Sequence, residues 1–158
     1  MSFVFNADEI FAMAEQIEKN GGQFYRKSAQ QVKEPTTKNL LLRLASMEDD
    51  HLKTFAGMKS SLSEEEKKSM TFDPDNEAGL YLASLAKTQV FFKKETDTST
   101  PEGIFKAALA AEKDSIIFYL GMVDWVPENL GKNEISKIIQ EEKSHVRLIG
   151  DRLAGLKK

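Results

Sequence analysis

Two five-residue stretches decide the fold: Met47-Glu48-Asp49-Asp50-His51 and Glu141-Glu142-Lys143-Ser144-His145. Each spaces a carboxylate and an imidazole three residues apart, so on a helix the pair lies one turn apart on one face. Together they hold both histidines of the chain, and an offset of 94 residues carries one stretch onto the other. The same offset carries Phe11 onto Phe105, Ala14 onto Ala108, Glu18 onto Glu112 and Phe24-Tyr25 onto Phe118-Tyr119. It also carries Leu41 onto Ile135 and Leu44 onto Ile138. One register over two helices and their connection predicts an internal duplication. The expected units are helical hairpins at about 7–60 and 101–154, within a single domain of residues 1–158.

Working outward, every periodic stretch reads as helix. Asn6 is a good N-cap, Glu9 can complete a capping box, and Phe5 and Ile10 sit at the positions of a hydrophobic staple. Phe11, Ala14, Ile17, Gly21, Phe24 and Tyr25 then follow a helical stripe to about Val32. Gly21-Gly22 argues for a break, since two interior glycines cost roughly 2 kcal/mol. The offset places them on Ser115-Ile116, inside a clean stripe, which favours one continuous helix. A second helix starts near Pro35, runs through Leu41, Leu44, Ala45, Leu52 and Phe55, and fades near Ser60. Ser61–Asn76 is polar and reads as a surface connection with room for one helical turn; its Glu64-Glu65-Glu66 run reads as solvated. Glu77–Lys93 reads as a shorter helix in the long crossover. Thr100 and Pro101 start the next helix, which ends at Trp125-Val126-Pro127. The last runs from about Lys132 to Ala154. No segment reads as a strand.

Composition agrees with one soluble all-α domain. The chain has 158 residues, a net charge of −3, 41% apolar and 30% charged residues. There is no basic footprint for nucleic acid and no apolar run near the ~18–20 residues of a membrane span. The first residues lack the basic and apolar regions of a signal peptide. Cysteine is absent, which excludes disulfides, thiolate metal sites and iron–sulfur clusters within these residues and fits the cytoplasm, the expected location.

The repeated acids sit mid-stripe. Glu18 lies among Phe11, Ala14 and Tyr25; Glu48 among Leu41, Leu44, Leu52 and Phe55; Glu112 among Phe105, Ala108, Leu109, Ile116 and Tyr119; Glu142 among Ile135, Ile138, Ile139, Val146 and Ile149. Buried carboxylates are rare unless paired or bound to metal, and no Lys or Arg shares these stripes near the acids. One Glu from each of two helices plus Glu-x-x-His from each of two others is the ligand set of dinuclear carboxylate bundles. Four carboxylates and two neutral imidazoles also balance two divalent cations. The candidate ligands are therefore Glu18, Glu48, His51, Glu112, Glu142 and His145.

With Ala14-Glu15-Gln16-Ile17-Glu18 and Ala110-Ala111-Glu112 beside the two Glu-x-x-His stretches, nearly the whole chain resembles the rubrerythrin-like branch of the ferritin-like diiron-carboxylate superfamily. The resemblance implies an antiparallel ferritin-like four-helix bundle around two iron ions, with manganese also suited to the ligands. It implies Glu18 and His51 as terminal ligands from the first repeat, Glu112 and His145 as candidates from the second, and Glu48 and Glu142 as candidates for bridging. Two departures stand out. The 158 residues hold no cysteine, so the four-cysteine rubredoxin domain is lacking, and Ser115 occupies the place of an extra Glu. Electrons would then come from a separate electron-transfer protein.

The expected function is a non-haem diiron protein that reacts with oxygen or peroxide, an oxidoreductase needing an external donor. The alternatives are an iron-binding ferroxidase and a metal-stabilised structural bundle without turnover. A homodimer is expected, with no nucleic-acid partner. Tyr25 and Tyr119, two turns from candidate ligands, read as donors to the ligand carboxylates, as carriers of a radical or as core aromatics. Glu15 and Glu141 point about 100° away from the ligand direction and read as solvated.

Overall fold

The computed structural model describes residues 6–68, 80–82, 84–85 and 98–156. Four long helices carry the fold: α1 (Ala7–Gln31), α2 (Pro35–Ser60), α4 (Pro101–Trp125) and α5 (Lys132–Leu156). A short α3 (Glu64–Lys68) follows α2, and a 3-10 turn, Glu128–Leu130, precedes α5. No strand occurs among the described residues. The fold is an all-α helical bundle, as the periodicity predicts. The expected helix at 77–93 falls mostly outside the described residues; 80–82 and 84–85 are helical. Phe5, proposed for the staple, also lies outside them.

Local chemistry sets the ends. The Asn6 side chain accepts a hydrogen bond from the Glu9 amide at 2.8 Å, and Thr100 accepts one from the Gly103 amide at 3.1 Å. Glu34 caps α2: its carboxylate accepts from the amides of Thr36 at 3.0 Å and Thr37 at 2.7 Å and from the Thr37 hydroxyl at 2.6 Å. These bonds, led by the Thr37 hydroxyl, lower the Glu34 pKa to about 2. Glu66 is not merely solvated. It accepts from the Ser63 amide at 2.9 Å while Ser63 Oγ accepts from its own, a reciprocal cap that starts α3. Gly131 turns the chain into α5 at φ +109°, a conformation suited to glycine.

α1 is continuous through Gly21-Gly22. A Cβ on Gly22 would lie 3.2 Å from Asp49 Oδ1 and 3.8 Å from the Ala45 carbonyl, so this glycine lets α1 approach α2 closely. The helices pack most tightly within each hairpin, α1 with α2 and α4 with α5; α1 also meets α4, and α2 meets α5.

The apolar core falls into two clusters. One gathers Ile10, Phe11, Ala14 and Ile17 with Phe55, Phe118, Tyr119, Met122, Ile135 and Ile138. The other gathers Tyr25, Ala29, Leu41, Leu44, Ile104, Phe105, Ala108 and Ile149. Along every long helix the residues between these clusters are those of the site: Glu18, Glu48 with His51, Glu112, and Glu142 with His145.

Candidate metal centre

Each of the six expected side chains is 2% exposed or less. Their ligand atoms form two groups, each within 4.8 Å: Glu18, Glu48, His51 and Glu142 in one, and Glu48, Glu112, Glu142 and His145 in the other. Glu48 and Glu142 belong to both. The two imidazoles, one in each group, stack with ring centroids 5.9 Å apart and planes inclined by 20°.

Both rings turn Nδ1 inward. His51 Nδ1 lies 3.1 Å from Glu142 Oε1 and 3.4 Å from Glu18 Oε2. His145 Nδ1 lies 3.1 Å from Glu142 Oε2, 3.2 Å from Glu48 Oε1 and 3.3 Å from Glu112 Oε1, without hydrogen-bond geometry to any of them. Glu18 Oε2, Glu48 Oε1, Glu112 Oε2 and Glu142 Oε2 are likewise buried without a hydrogen-bond partner. Such orphaned polar atoms are costly. Here four carboxylates and an imidazole turn theirs on one shared space, which is the donor set a pair of divalent cations takes. The residues present fit such a centre.

The other carboxylate oxygens are held across the bundle. Tyr25 on α1 donates to Glu112 Oε1 on α4 at 2.5 Å. Tyr119 on α4 donates to Glu18 Oε1 on α1. Of the readings open for these tyrosines, hydrogen bonding to the carboxylates is observed, and both rings are also core residues. Ser115 donates to the Ala111 carbonyl of its own helix at 2.9 Å and offers nothing to the centre.

Two acids depart from expectation. Glu141, half-exposed, is not simply solvated: its Oε2 lies 2.5 Å from His51 Nε2. A glutamate aimed beside the site reaches over the rim to the outer edge of the imidazole on the facing helix. Glu15 is only partly exposed and pairs with Lys59 at 3.6 Å. No pattern in its own stripe marks Glu141, because its partner lies 90 residues away.

Protonation follows from crowding negative charge in a dry space. Burial, then the charge of Glu18, pushes Glu48 well above the usual carboxylate range. Burial, then Glu112, does the same to Glu142. Burial acts upward on Glu112 too, but the closeness of Glu142 and His145 and the hydrogen bond from Tyr25 outweigh it and leave this carboxyl lowered. Burial disfavours both imidazolium ions, yet the carboxylates prevail: the close approach of Glu142 and Glu18 raises His51 to about 11, and that of Glu112 and Glu142 raises His145 to about 9. Without metal, protons occupy the centre. They balance the carboxylates in the place where cations would.

The rubrerythrin family model matches residues 9–153. The chain belongs to the rubrerythrin family. A crystal structure titled as a ferritin-like diiron-carboxylate protein, from Thermotoga maritima, superposes with a TM-score of 0.72 over 98% of both chains at 23% identity, which shows a shared fold. No curated protein sequence matches this rubrerythrin-family chain. Within it a Glu/His cluster that can bind metal is buried in the bundle, no four-cysteine domain lies within the 158 residues, and no described helix is long and apolar enough to cross a membrane.

Proposed function

We propose that the chain is a non-haem dinuclear-iron protein that reacts with oxygen or peroxide. The observation that carries this reading is the convergence of orphaned carboxylate and imidazole atoms on one buried space. Glu18 and His51 would hold one ion and Glu112 and His145 the other, while Glu48 and Glu142, the two residues common to both groups, would serve both. Two redox-active ions with open positions in a dry core supply the electrons for reducing a small oxidant. The chain's own residues hold the geometry. Tyr119 fixes Glu18, Tyr25 fixes Glu112, and the apolar clusters on either side exclude water.

Support for two hairpin repeats in one domain comes from the helix bounds: α1 begins at Ala7 and ends at Gln31, and α4 begins and ends 94 residues later. Electrons come from a carrier outside these 158 residues, which hold no cysteine to ligate iron. A homodimer in the cytoplasm belongs to the same reading.

Metal analysis of the purified protein tests it first, with iron expected and manganese the competitor. Two ions per chain should be found, and His51→Ala or Glu142→Ala should lower that content sharply; unchanged stoichiometry in both variants overturns the ligand assignment. Chemically reduced protein given one equivalent of peroxide should show a single fast oxidation. Repeating this with excess nicotinamide donor and no carrier should give no sustained turnover. Consumption of ferrous iron in many-fold excess over sites would favour a ferroxidase. No reaction at all would leave a structural metal site.

A further inference from the structure

The two halves of the centre share two features and differ in a third. Each has a terminal glutamate bound by a tyrosine from the opposite hairpin, Glu18 by Tyr119 and Glu112 by Tyr25. Each has an imidazole with Nδ1 turned inward. The outer nitrogens differ. His51 Nε2 lies 2.5 Å from Glu141 Oε2, whereas His145 Nε2 is buried and has no hydrogen-bond partner among the described residues. The position 94 residues before Glu141 is Met47, which carries no acceptor of comparable strength. Glu141 is 52% exposed at its side chain, so holding it against His51 is a specific contact and not forced burial.

We infer that Glu141 is a positioning residue for His51 and that it makes the two metal subsites unequal. This rests on the dinuclear reading above. A carboxylate accepting the Nε2 proton fixes which nitrogen is left to bind metal, sets the ring's orientation, and makes Nδ1 a better donor. Among the described residues His145 has no such support. The first ion therefore enters the Glu18–His51 half, and the second binds the Glu112–His145 half more weakly.

The test is stepwise titration of metal-free protein with cobalt(II) under anaerobic conditions, followed by calorimetry and absorbance. Wild type should show two steps of different affinity. Glu141→Met, which copies the residue at the matching position, should weaken the tighter step about 10–100-fold and leave the other in place. Glu141→Gln keeps an accepting oxygen without the charge and should fall between. Zinc-loaded protein gives a readout that does not depend on affinity. The His51 Nε2 proton should resonate far downfield and be slow to exchange in wild type, and lose both properties in Glu141→Met, with the His145 ring signals unmoved. Equal steps in wild type, equal weakening of both steps in Glu141→Met, or an unchanged His51 proton in that variant would overturn the inference. Failure to bind any ion would instead overturn the dinuclear reading.

Discussion

At the scale of single residues, the crossed tyrosines show how a buried carboxylate is kept aimed. Glu18 is 1% exposed and Tyr119 is fully buried, so the hydroxyl is a dedicated donor that no solvent replaces. Removing it leaves a buried acceptor unmet, which costs about 1–3 kcal/mol. Tyr119→Phe should destabilise the metal-free protein by about that much in denaturant unfolding, with little change in the slope of the transition. The six candidate ligands could be read from the chain because each acid interrupts an apolar stripe, which only a functional or paired carboxylate does. The tyrosines were legible as neighbours of the site but not by partner: periodicity tells which face a side chain occupies, not which helix stands opposite. Glu141 was missed for a related reason. Its helical direction is off the stripe, but a glutamate is long enough to bend back toward a facing ring.

Among the elements, the ends of the helices show the strongest local control. Glu34 has its pKa lowered to about 2 by the Thr37 hydroxyl and the Thr37 and Thr36 amides. A lowered carboxyl contributes stability that is complete above its unfolded value near 4.5 and is lost as pH falls through the folded value. The amides of Thr36 and Thr37 should therefore lose hydrogen-exchange protection, relative to mid-helix amides of α2, as pH drops from about 4.5 toward 2, and Glu34→Gln should remove that dependence. Gly131 marks the other kind of control. At φ +109°, with the Met58 side chain packed against it, a Cβ is opposed by both backbone and space. Gly131→Ala should cost about 1–2 kcal/mol from the backbone alone, read as a lower melting temperature. Helix starts at Asn6, Pro35 and Thr100 were legible because capping chemistry is local. Glu34 as the cap of α2 was overlooked, since Glu is not among the usual N-cap residues.

The whole molecule concentrates four carboxylates and two imidazoles in one layer, and its stability should depend on what neutralises them. Chelation should lower the melting temperature. An ion that binds only the folded chain adds ~4 kcal/mol at a thousandfold excess over its dissociation constant. In the chelated protein, His51 and His145 hold their protons up to about 11 and about 9. Raised values of this kind contribute stability that is complete below the unfolded value near 6.5 and is lost as pH climbs through the folded ones. The raised carboxyls of Glu48 and Glu142 act in the same direction, since the folded state favours their neutral forms. The chelated melting temperature should thus fall between pH 6 and 9. Metal must displace those protons, so the gap between loaded and chelated melts should widen over the same range. A flat chelated profile would contradict the protonation described for the centre.

The division of the apolar core into two clusters has a consequence for how the chain unfolds. An ordinary bundle melts as one unit because its apolar contacts run unbroken from end to end. Here a charged layer interrupts them on all four long helices at once. Each end retains its own cohesive packing, and the helices passing through the layer are the mechanical link between the two. On the proposed ligand set, a loaded centre would reinforce that link with bonds to every long helix, and both ends should rise and fall together. With it empty, the link weakens at its middle, and loss of order at one end need not spread to the other. Cooperativity, not only stability, then becomes a property conferred by the ions.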